Sequence, residues 1–151
     1  MNYIFGTISR QNLDTCHQDL QLIAEESLKV SQVDFGITEG HRTLEKQQEY
    51  FETGASKCDG ITKISKHQSY PSLAMDIRVY VPNKPELTYN IIYMAYLGGV
   101  ITSVAERLLG EGKIKHKIRW GYNWNNNGEI GTDQTFQDMP HFELIELGAM
   151  V

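Results

Sequence analysis

Apolar residues recur at helical spacing early in the chain, which predicts an amphipathic helix over about residues 17–30. Asp14 or Thr15 is expected to cap its amino end. A second helix is predicted over residues 43–51, with Thr43 as its N-cap. The apolar positions of the first helix are Leu20, Ile23, Ala24 and Leu28.

Apolar and polar residues alternate over residues 73–81, which is the pattern of a half-buried strand. Shorter strands are predicted over residues 33–38, 117–120 and 141–147. The helices and strands follow one another without a regular strand–helix–strand rhythm. The sequence therefore predicts an α+β fold.

The longest apolar run, residues 87–105, contains no charged side chain and has about the length of a membrane span. Hydroxyl and amide side chains interrupt it, as do Gly98 and Gly99. This polarity favours a long core helix of a soluble protein, over about residues 86–109, rather than a membrane-spanning segment. The amino terminus also lacks the features of a secretory signal. No stable membrane insertion is expected.

Length and charge narrow the range of functions. The 151 residues match a single domain over residues 1–151, long enough to bury its own core. The net charge is −5, whereas nucleic-acid-binding domains are usually basic, so nucleic acid is not an expected partner. Cys16 and Cys58 do not form a CxxC pair and are expected to be free thiols.

The residues best suited to catalysis or metal binding are His67, Asp76 and His141. His67 precedes the strand predicted over residues 73–81, Asp76 lies within that strand, and His141 begins the last strand. A carboxylate among apolar neighbours needs a partner, and for Asp76 alone a salt bridge to an arginine or a cap to nearby backbone explains it as well as a metal does. Together, two histidines and one aspartate match a catalytic zinc site, which uses three protein ligands and leaves one position open.

Two carboxylates lie close to His141 in the sequence. Asp138, three positions before it, is placed to act as general base and then general acid, although an aspartate ahead of a proline is also a common turn residue. Glu143 lies on the same strand face as His141 and is either a residue that orients an imidazole or a surface carboxylate. The other histidines, expected in capping, loop or edge-strand positions, are His17, His41 and His116.

Several short motifs resemble the family of D-Ala-D-Ala carboxypeptidases and phage L-alanyl-D-glutamate peptidases, which share the zinc fold of the hedgehog signalling domain. The resemblance runs from about Leu13 to Leu144 and is greatest for the phage endolysin branch. The motifs are Gly40-His-Arg42-Thr, Ser65-x-His67 with Ala74-x-Asp76, Arg119-Trp120-Gly121 and Asp138-x-Pro-His141-Phe-Glu143.

The resemblance implies a small antiparallel sheet flanked by helices and a zinc-dependent endopeptidase that cuts the L-Ala–D-Glu bond of the stem peptide in bacterial peptidoglycan. An endolysin of this kind is expected to be a bacteriolytic monomer, made in the host cytoplasm and released to the cell wall through a membrane pore protein. The implied site residues are the zinc ligands His67, Asp76 and His141, the general base Asp138, Arg42 for substrate binding or oxyanion stabilisation, and Ser65 at the substrate-binding rim.

The sequence departs from the family pattern in two places. The loop between His67 and Asp76 is longer than in the commoner motif and lacks its glycine, and Tyr122 stands where phage relatives have a second glycine. Within the family, a D-Ala-D-Ala carboxypeptidase is the alternative function. Outside it, a non-catalytic zinc-binding module that recognises the wall is disfavoured by the presence of Asp138. A serine hydrolase using Ser65 is disfavoured because no GxSxG turn occurs.

One polar segment leaves two interpretations open. Asn123, Asn125, Asn127 and Gly128 match the beginning of a calcium-binding loop. The asparagines bring no charge, and Gln134 stands where such a loop has a bidentate glutamate. The segment is therefore either a calcium site beside the catalytic residues or a plain polar turn.

Overall fold

The centre of the fold is an antiparallel sheet with strand order β1-β2-β4-β3. The structure is a computed structural model that describes residues 2–148, so the domain predicted over residues 1–151 extends beyond the described residues at both ends. The predicted α+β class and small antiparallel sheet are confirmed. The strands are β1 (Asp34–Glu39), β2 (Ala74–Tyr80), β3 (Lys117–Trp120) and β4 (His141–Ile145).

Helices pack around this sheet. The α-helices are α1 (Thr7–Asp14), α2 (Gln18–Val30), α3 (Leu44–Glu52) and α4 (Ile91–Gly110). Short 3-10 turns lie at Lys66–Gln68 and Pro85–Leu87. α1 contacts β1, α2 and α4 contact each other, and α4 also contacts β3. The helices therefore flank the sheet, as the resemblance implies.

The helix caps confirm one prediction and correct another. Thr43 caps α3 as predicted, with its side chain accepting a hydrogen bond from a backbone amide. α2 is capped by His17, whose side chain accepts a hydrogen bond from the Asp19 amide, and not by Asp14 or Thr15. The prediction was wrong because a separate helix, α1, occupies the preceding residues and ends at Asp14.

Two further features of the helices do not follow from the apolar pattern. α1 has only two apolar residues, Ile8 and Leu13, of which Leu13 alone is buried, so its sequence gives too few apolar positions to define a helical period. The predicted long helix begins at Ile91 rather than at residue 86. The reason is that Pro85–Leu87 forms its own 3-10 turn, and the Asn90 side chain then caps α4.

α4 forms the long core helix expected from the apolar run. By length and composition it is able to cross a membrane, but this is weak evidence, because core helices of soluble proteins pass the same test. Gly98 lies so close to the Trp120 indole that a Cβ at this position would overlap the ring. The glycine therefore permits close packing of α4 beside β3. The buried residues of α4 are Met94, Leu97, Gly98, Ile101, Val104, Ala105 and Leu108.

The register of the sheet brings several polar residues together. Asp76 on β2 pairs with Glu39 on β1 and with His141 on β4. Two residues further along β4, Glu143 pairs with Arg119 on β3. Residues opposite one another in an antiparallel sheet share a face, as do residues two positions apart on one strand. Strand pairing thus gathers these side chains on one face of the sheet.

Candidate active site

Three nitrogen and oxygen donors converge where β2, β4 and the turn Lys66–Gln68 meet. Asp76 Oδ1 lies 3.3 Å from His67 Nε2 and 3.2 Å from His141 Nδ1. The two imidazole nitrogens lie 3.3 Å apart. The predicted metal ligands therefore form a nearly equilateral triangle of donor atoms, one of the groups in the described part of the chain that are close enough to hold a metal ion.

The size of this triangle fits zinc. In a tetrahedral site with metal–ligand distances of about 2.0–2.1 Å, neighbouring ligand atoms are separated by about 3.3–3.4 Å. The observed separations of 3.2–3.3 Å match that value. Two neutral imidazoles and one carboxylate are also a donor set that zinc uses in enzymes. His67, Asp76 and His141 are thus suited to hold a zinc ion.

His67 is held in the orientation that this site requires. Its Nδ1 donates a hydrogen bond to the Gly40 carbonyl at 2.7 Å, which leaves the Nε2 lone pair directed at the other donors. The Ser65 side chain accepts a hydrogen bond from the His67 amide at 3.2 Å and caps the turn. With both ring nitrogens engaged elsewhere, His67 has none left to activate Ser65, which argues against a serine hydrolase.

His141 is oriented by a buried carboxylate. Its Nε2 donates to Glu143 Oε1 at 2.8 Å, and the other Glu143 oxygen accepts a hydrogen bond from Arg119 at 2.7 Å. Burial opposes the charge on Glu143, but the hydrogen bonds from His141 and Arg119 outweigh it and lower its pKa to about 2. Of the two roles open to Glu143, the geometry shows the one that orients an imidazole.

Arg42 is buried beside the ligand triangle, with its nitrogens engaged by protein groups. Nε donates to Glu39 Oε1 at 2.7 Å, Nη1 donates to Gln47 Oε1 at 2.6 Å, and Nη2 contacts Glu39 as well. Nη2 also lies 3.7 Å from the outer oxygen of Asp76, and the guanidinium lies over the Tyr50 ring. Arg42 therefore lies beside the Asp76 carboxylate while its hydrogen bonds go to Glu39 and Gln47.

Asp138 lines the same cleft as the three predicted ligands. Burial, and next the negative charge of Asp76, raise the pKa of Asp138 above its ordinary value. The Asp138 amide donates to the Gly121 carbonyl at 3.0 Å, and the Gly121 amide donates to the His141 carbonyl at 2.8 Å. A Cβ on Gly121 would overlap the Asp138 carbonyl. Gly121 therefore sets the path of the chain that carries both Asp138 and His141.

The cleft above the donor triangle has a volume of about 690 Å³. Trp124 forms part of one side, with its ring 5.4 Å from the His141 ring and stacked at 6.2 Å on Phe136. Sequence reasoning did not identify Trp124, Phe136 or Glu39 as site residues. Trp124 and Phe136 lie in a polar loop without periodicity, and the one available signal was the proximity of these aromatic residues to the Asp138–His141 motif.

Two of the remaining histidines belong to a second polar cluster, whose residues do not line the cleft. Asp19 Oδ2 accepts hydrogen bonds from His116 Nδ1 at 2.8 Å and from the Lys115 amide at 2.9 Å. His17, as the cap of α2, lies against the His116 ring at 4.9 Å. The three side chains are close enough to hold a metal ion, but their hydrogen bonds already account for them as a link between α2 and the chain before β3.

The polar loop after β3 is organised around Asp133. The Asp133 carboxylate accepts hydrogen bonds from the side-chain amides of Asn125 and Asn127 at 2.9 and 2.8 Å. These bonds lower the pKa of Asp133. The Gln134 side-chain oxygen accepts a hydrogen bond from the Trp124 amide at 2.7 Å. Calcium binding by this loop stays a prediction, since these contacts also make a self-contained polar turn.

Comparison with known proteins gives the family of the chain. A family model described as phage L-alanyl-D-glutamate peptidase matches residues 1–145. The L-alanyl-D-glutamate peptidase of Escherichia phage T5 is 28% identical over 147 residues, covering 96% of this chain and 100% of that relative. These matches span nearly the whole chain.

One solved structure supports this family assignment. The L-Ala D-Glu endopeptidase ChiX of Serratia marcescens superposes with a TM-score of 0.67 and 27% identity, over 94% of this chain and 90% of that chain. A vancomycin-resistance D,D-dipeptidase, VanXYg, gives a TM-score of 0.45 and 15% identity, over 87% of this chain and 49% of that chain, a likeness too remote to bear on function. The resemblance found in the sequence motifs is confirmed: the chain belongs to the phage L-alanyl-D-glutamate peptidase family.

Proposed function

We propose that this chain is a zinc-dependent endopeptidase that hydrolyses the bond between L-alanine and D-glutamate in the stem peptides of bacterial peptidoglycan. Family membership supports the choice of bond. The observation that carries the chemistry is the donor triangle of His67, Asp76 and His141, whose 3.2–3.3 Å edges fit a tetrahedral zinc ion. When bound there, zinc supplies a Lewis acid that activates water and polarises the peptide carbonyl.

In this mechanism Asp138 is the general base. Its carboxylate shares the cleft with the ligands and is held by the Gly121 backbone. It takes the proton of the attacking water and later delivers it to the leaving amine of D-glutamate. Burial strengthens its hold on a proton, which suits a group that must accept one and then donate it.

We propose positioning roles for Arg42 and Ser65 in addition to the substrate contacts that the family resemblance implies. Arg42 is 7% exposed and has its guanidinium bonded to Glu39 and Gln47, so it has little capacity left for direct substrate contact. Ser65 lines the cleft but uses its hydroxyl to cap the turn of His67. Both residues thus keep the metal ligands in place.

The biological setting follows from the reaction. A phage peptidase of the stem peptide acts on the bacterial cell wall, and membership of the family supports a wall substrate for this chain. We propose further that the protein is a monomer, is made in the host cytoplasm and reaches the wall through a pore formed by a membrane protein. Lysis that still occurs in cells lacking any such pore protein would contradict this route.

Digestion of purified peptidoglycan tests the bond. Mass spectrometry of the products is expected to show stem peptides that begin with D-glutamate, together with glycan that retains L-alanine. Products that have lost a terminal D-alanine and nothing else would support the D-Ala-D-Ala carboxypeptidase alternative. Zinc binding without any product would support the non-catalytic wall-recognition module.

A further inference from the structure

The substrate of the proposed reaction carries a negative charge next to the scissile bond. In the stem peptide, the amine of glutamate is acylated by alanine and one of its carboxyl groups continues the chain. Its other carboxyl group is left as a free carboxylate. An enzyme that prefers this substrate gains from a cation in the cleft. The inference below rests on the proposed function, because that function supplies the D-glutamyl residue.

The two arginines that line the cleft are each paired with a protein carboxylate. Arg42 is bonded to Glu39 and Gln47. Arg119 donates through Nη2 to Glu143 at 2.7 Å, while its Nε is buried without a hydrogen-bond partner in the described structure. A guanidinium that is already paired with a carboxylate contributes little net charge to a ligand.

Three lysines line the same cleft and are not paired with a carboxylate. We call Lys57, Lys63 and Lys66 the lysine rim. Among residues 2–148, none of the three has a carboxylate within the 4.0 Å of a salt bridge. Asp59, the acidic residue of the same loop, accepts hydrogen bonds from the backbone amides of residues 61, 62 and 63 at 2.9 Å. The rim is thus a local excess of positive charge in a chain of net charge −5.

The lysine rim also lies close to the candidate catalytic residues. Lys66 directly precedes the ligand His67 in the 3-10 turn. The Lys57 ammonium lies 5.6 Å from the centre of the Phe136 ring. Phe136 stacks on Trp124, which in turn contacts the ring of the ligand His141. A substrate held with its scissile bond at the ligand triangle therefore lies within reach of the rim.

We propose that the lysine rim binds the free carboxylate of the D-glutamyl residue and makes the enzyme selective for stem peptides in which this carboxylate is not amidated. Lys57 and Lys63 are exposed and Lys66 is half-buried, so each contributes a modest, salt-screened attraction. Exposed cations of this kind attract the ligand without the desolvation cost of a buried pair.

The test compares two synthetic stem peptides that differ at one group, one with the free D-glutamyl carboxylate and one with a carboxamide in its place. The variants are Lys57→Met, Lys63→Met and Lys66→Met, which keep most of the side-chain length. Lys29→Met is the matched control, because Lys29 lies on α2 beside Glu26 and does not line the cleft. For each, kcat/KM is measured at low and high salt, and the dissociation constant of each peptide is measured by calorimetry.

Wild type is expected to prefer the free carboxylate. Each rim variant should lower kcat/KM for that peptide by about 2- to 5-fold, mainly through KM, and leave the carboxamide peptide unchanged. High salt should reduce the preference, and Lys29→Met should behave as wild type. Equal treatment of the two peptides by wild type, or equal losses on both in every rim variant, would overturn the proposal. Cleavage of neither peptide would refute the proposed function instead, and the two dissociation constants would then still decide whether the rim binds the carboxylate.

Discussion

Glu143 Oε1 accepts a hydrogen bond from His141 Nε2 at 2.8 Å, and this contact fixes which nitrogen of the imidazole is free to bind a metal. Without it, the ring is able to rotate or to carry its proton on Nδ1, the atom that faces Asp76. Arg119 holds the second oxygen of Glu143. The pairing of β3 with β4 places these two residues opposite each other. The sheet itself thus orients a candidate metal ligand.

Replacing Glu143 tests this relationship. Glu143→Ala removes the acceptor and leaves Arg119 without its carboxylate partner, so zinc affinity should fall by about 10- to 100-fold. Glu143→Gln keeps an oxygen that accepts from His141 and should lose less. A competitive chelator titration of the purified variants measures the affinity. Equal zinc affinity in wild type and Glu143→Ala would show that Glu143 does not support the metal site.

Removal of a ligand should have a larger effect than removal of its support. The candidate site has three protein donors and no spare, so His67→Ala, Asp76→Ala or His141→Ala should each weaken zinc binding and abolish peptidoglycan hydrolysis. Metal analysis after dialysis, with one zinc per chain expected for wild type, measures the binding. Full zinc occupancy in His141→Ala would remove His141 from the ligand set.

Gly121 provides a test of how precisely Asp138 must be placed. A Cβ at this position would overlap the Asp138 carbonyl, so Gly121→Ala must shift the chain that leads to His141. Small displacements of a catalytic group cost about 10²-fold in rate, and overpacking costs about 1–3 kcal/mol in stability. Gly99→Ala is the matched control, because a Cβ at Gly99 on α4 meets open space. Gly112 is unsuitable as a control because its φ is positive. Gly121→Ala should show lower peptidoglycan turnover and lower thermal stability than Gly99→Ala. Equal activity of these two variants would show that Gly121 does not position the base.

The sequence indicated His67, Asp76 and His141 as candidate ligands because two histidines and one aspartate match a catalytic zinc site and fall in the family motifs, and the structure brings their donor atoms together. Period-two alternation defines the strand that holds Asp76. The partners of these residues were less predictable, since the Gly40 carbonyl that orients His67 is a backbone group far away in sequence. A backbone hydrogen bond of this kind leaves no mark in residue type, because every residue carries a carbonyl group.

The residues that form the walls of the cleft were harder to predict from the sequence than the candidate ligands. Trp124 and Phe136 come from a loop whose path is fixed by side-chain hydrogen bonds, such as that from Trp124 Nε1 to the Phe136 carbonyl at 2.9 Å. Such bonds depend on tertiary structure and have no period along the chain. α1 was missed for a related reason, since Leu13 alone faces the core.

The calcium hypothesis for the loop after β3 is tested by metal dependence. Asp133 already accepts hydrogen bonds from Asn125 and Asn127. Its charge matters because calcium affinity rises with the number of charged ligands. If the loop binds calcium beside Trp124, peptidoglycan hydrolysis should fall as a calcium-selective chelator removes the ion, and Asp133→Asn should remove that dependence. Activity that is constant across the titration, with zinc kept saturating, would identify the loop as a polar turn.

Asp138→Asn separates catalysis from metal binding. Asparagine keeps the size of the side chain and favours the same kind of turn, so the hydrogen bond from the residue 138 amide to Gly121 should persist. It does not accept a proton at neutral pH, and turnover should therefore fall by about 10²–10⁴-fold, the usual contribution of a positioned acid–base group. Zinc content and thermal unfolding should match wild type, because Asp138 is not in the ligand triangle. Glu143→Gln, which alters the support of a ligand and not the proposed base, should lose less turnover once zinc is saturating. Near-normal turnover of zinc-loaded Asp138→Asn would mean that another group accepts the proton, and Glu143 would then be the carboxylate to examine next.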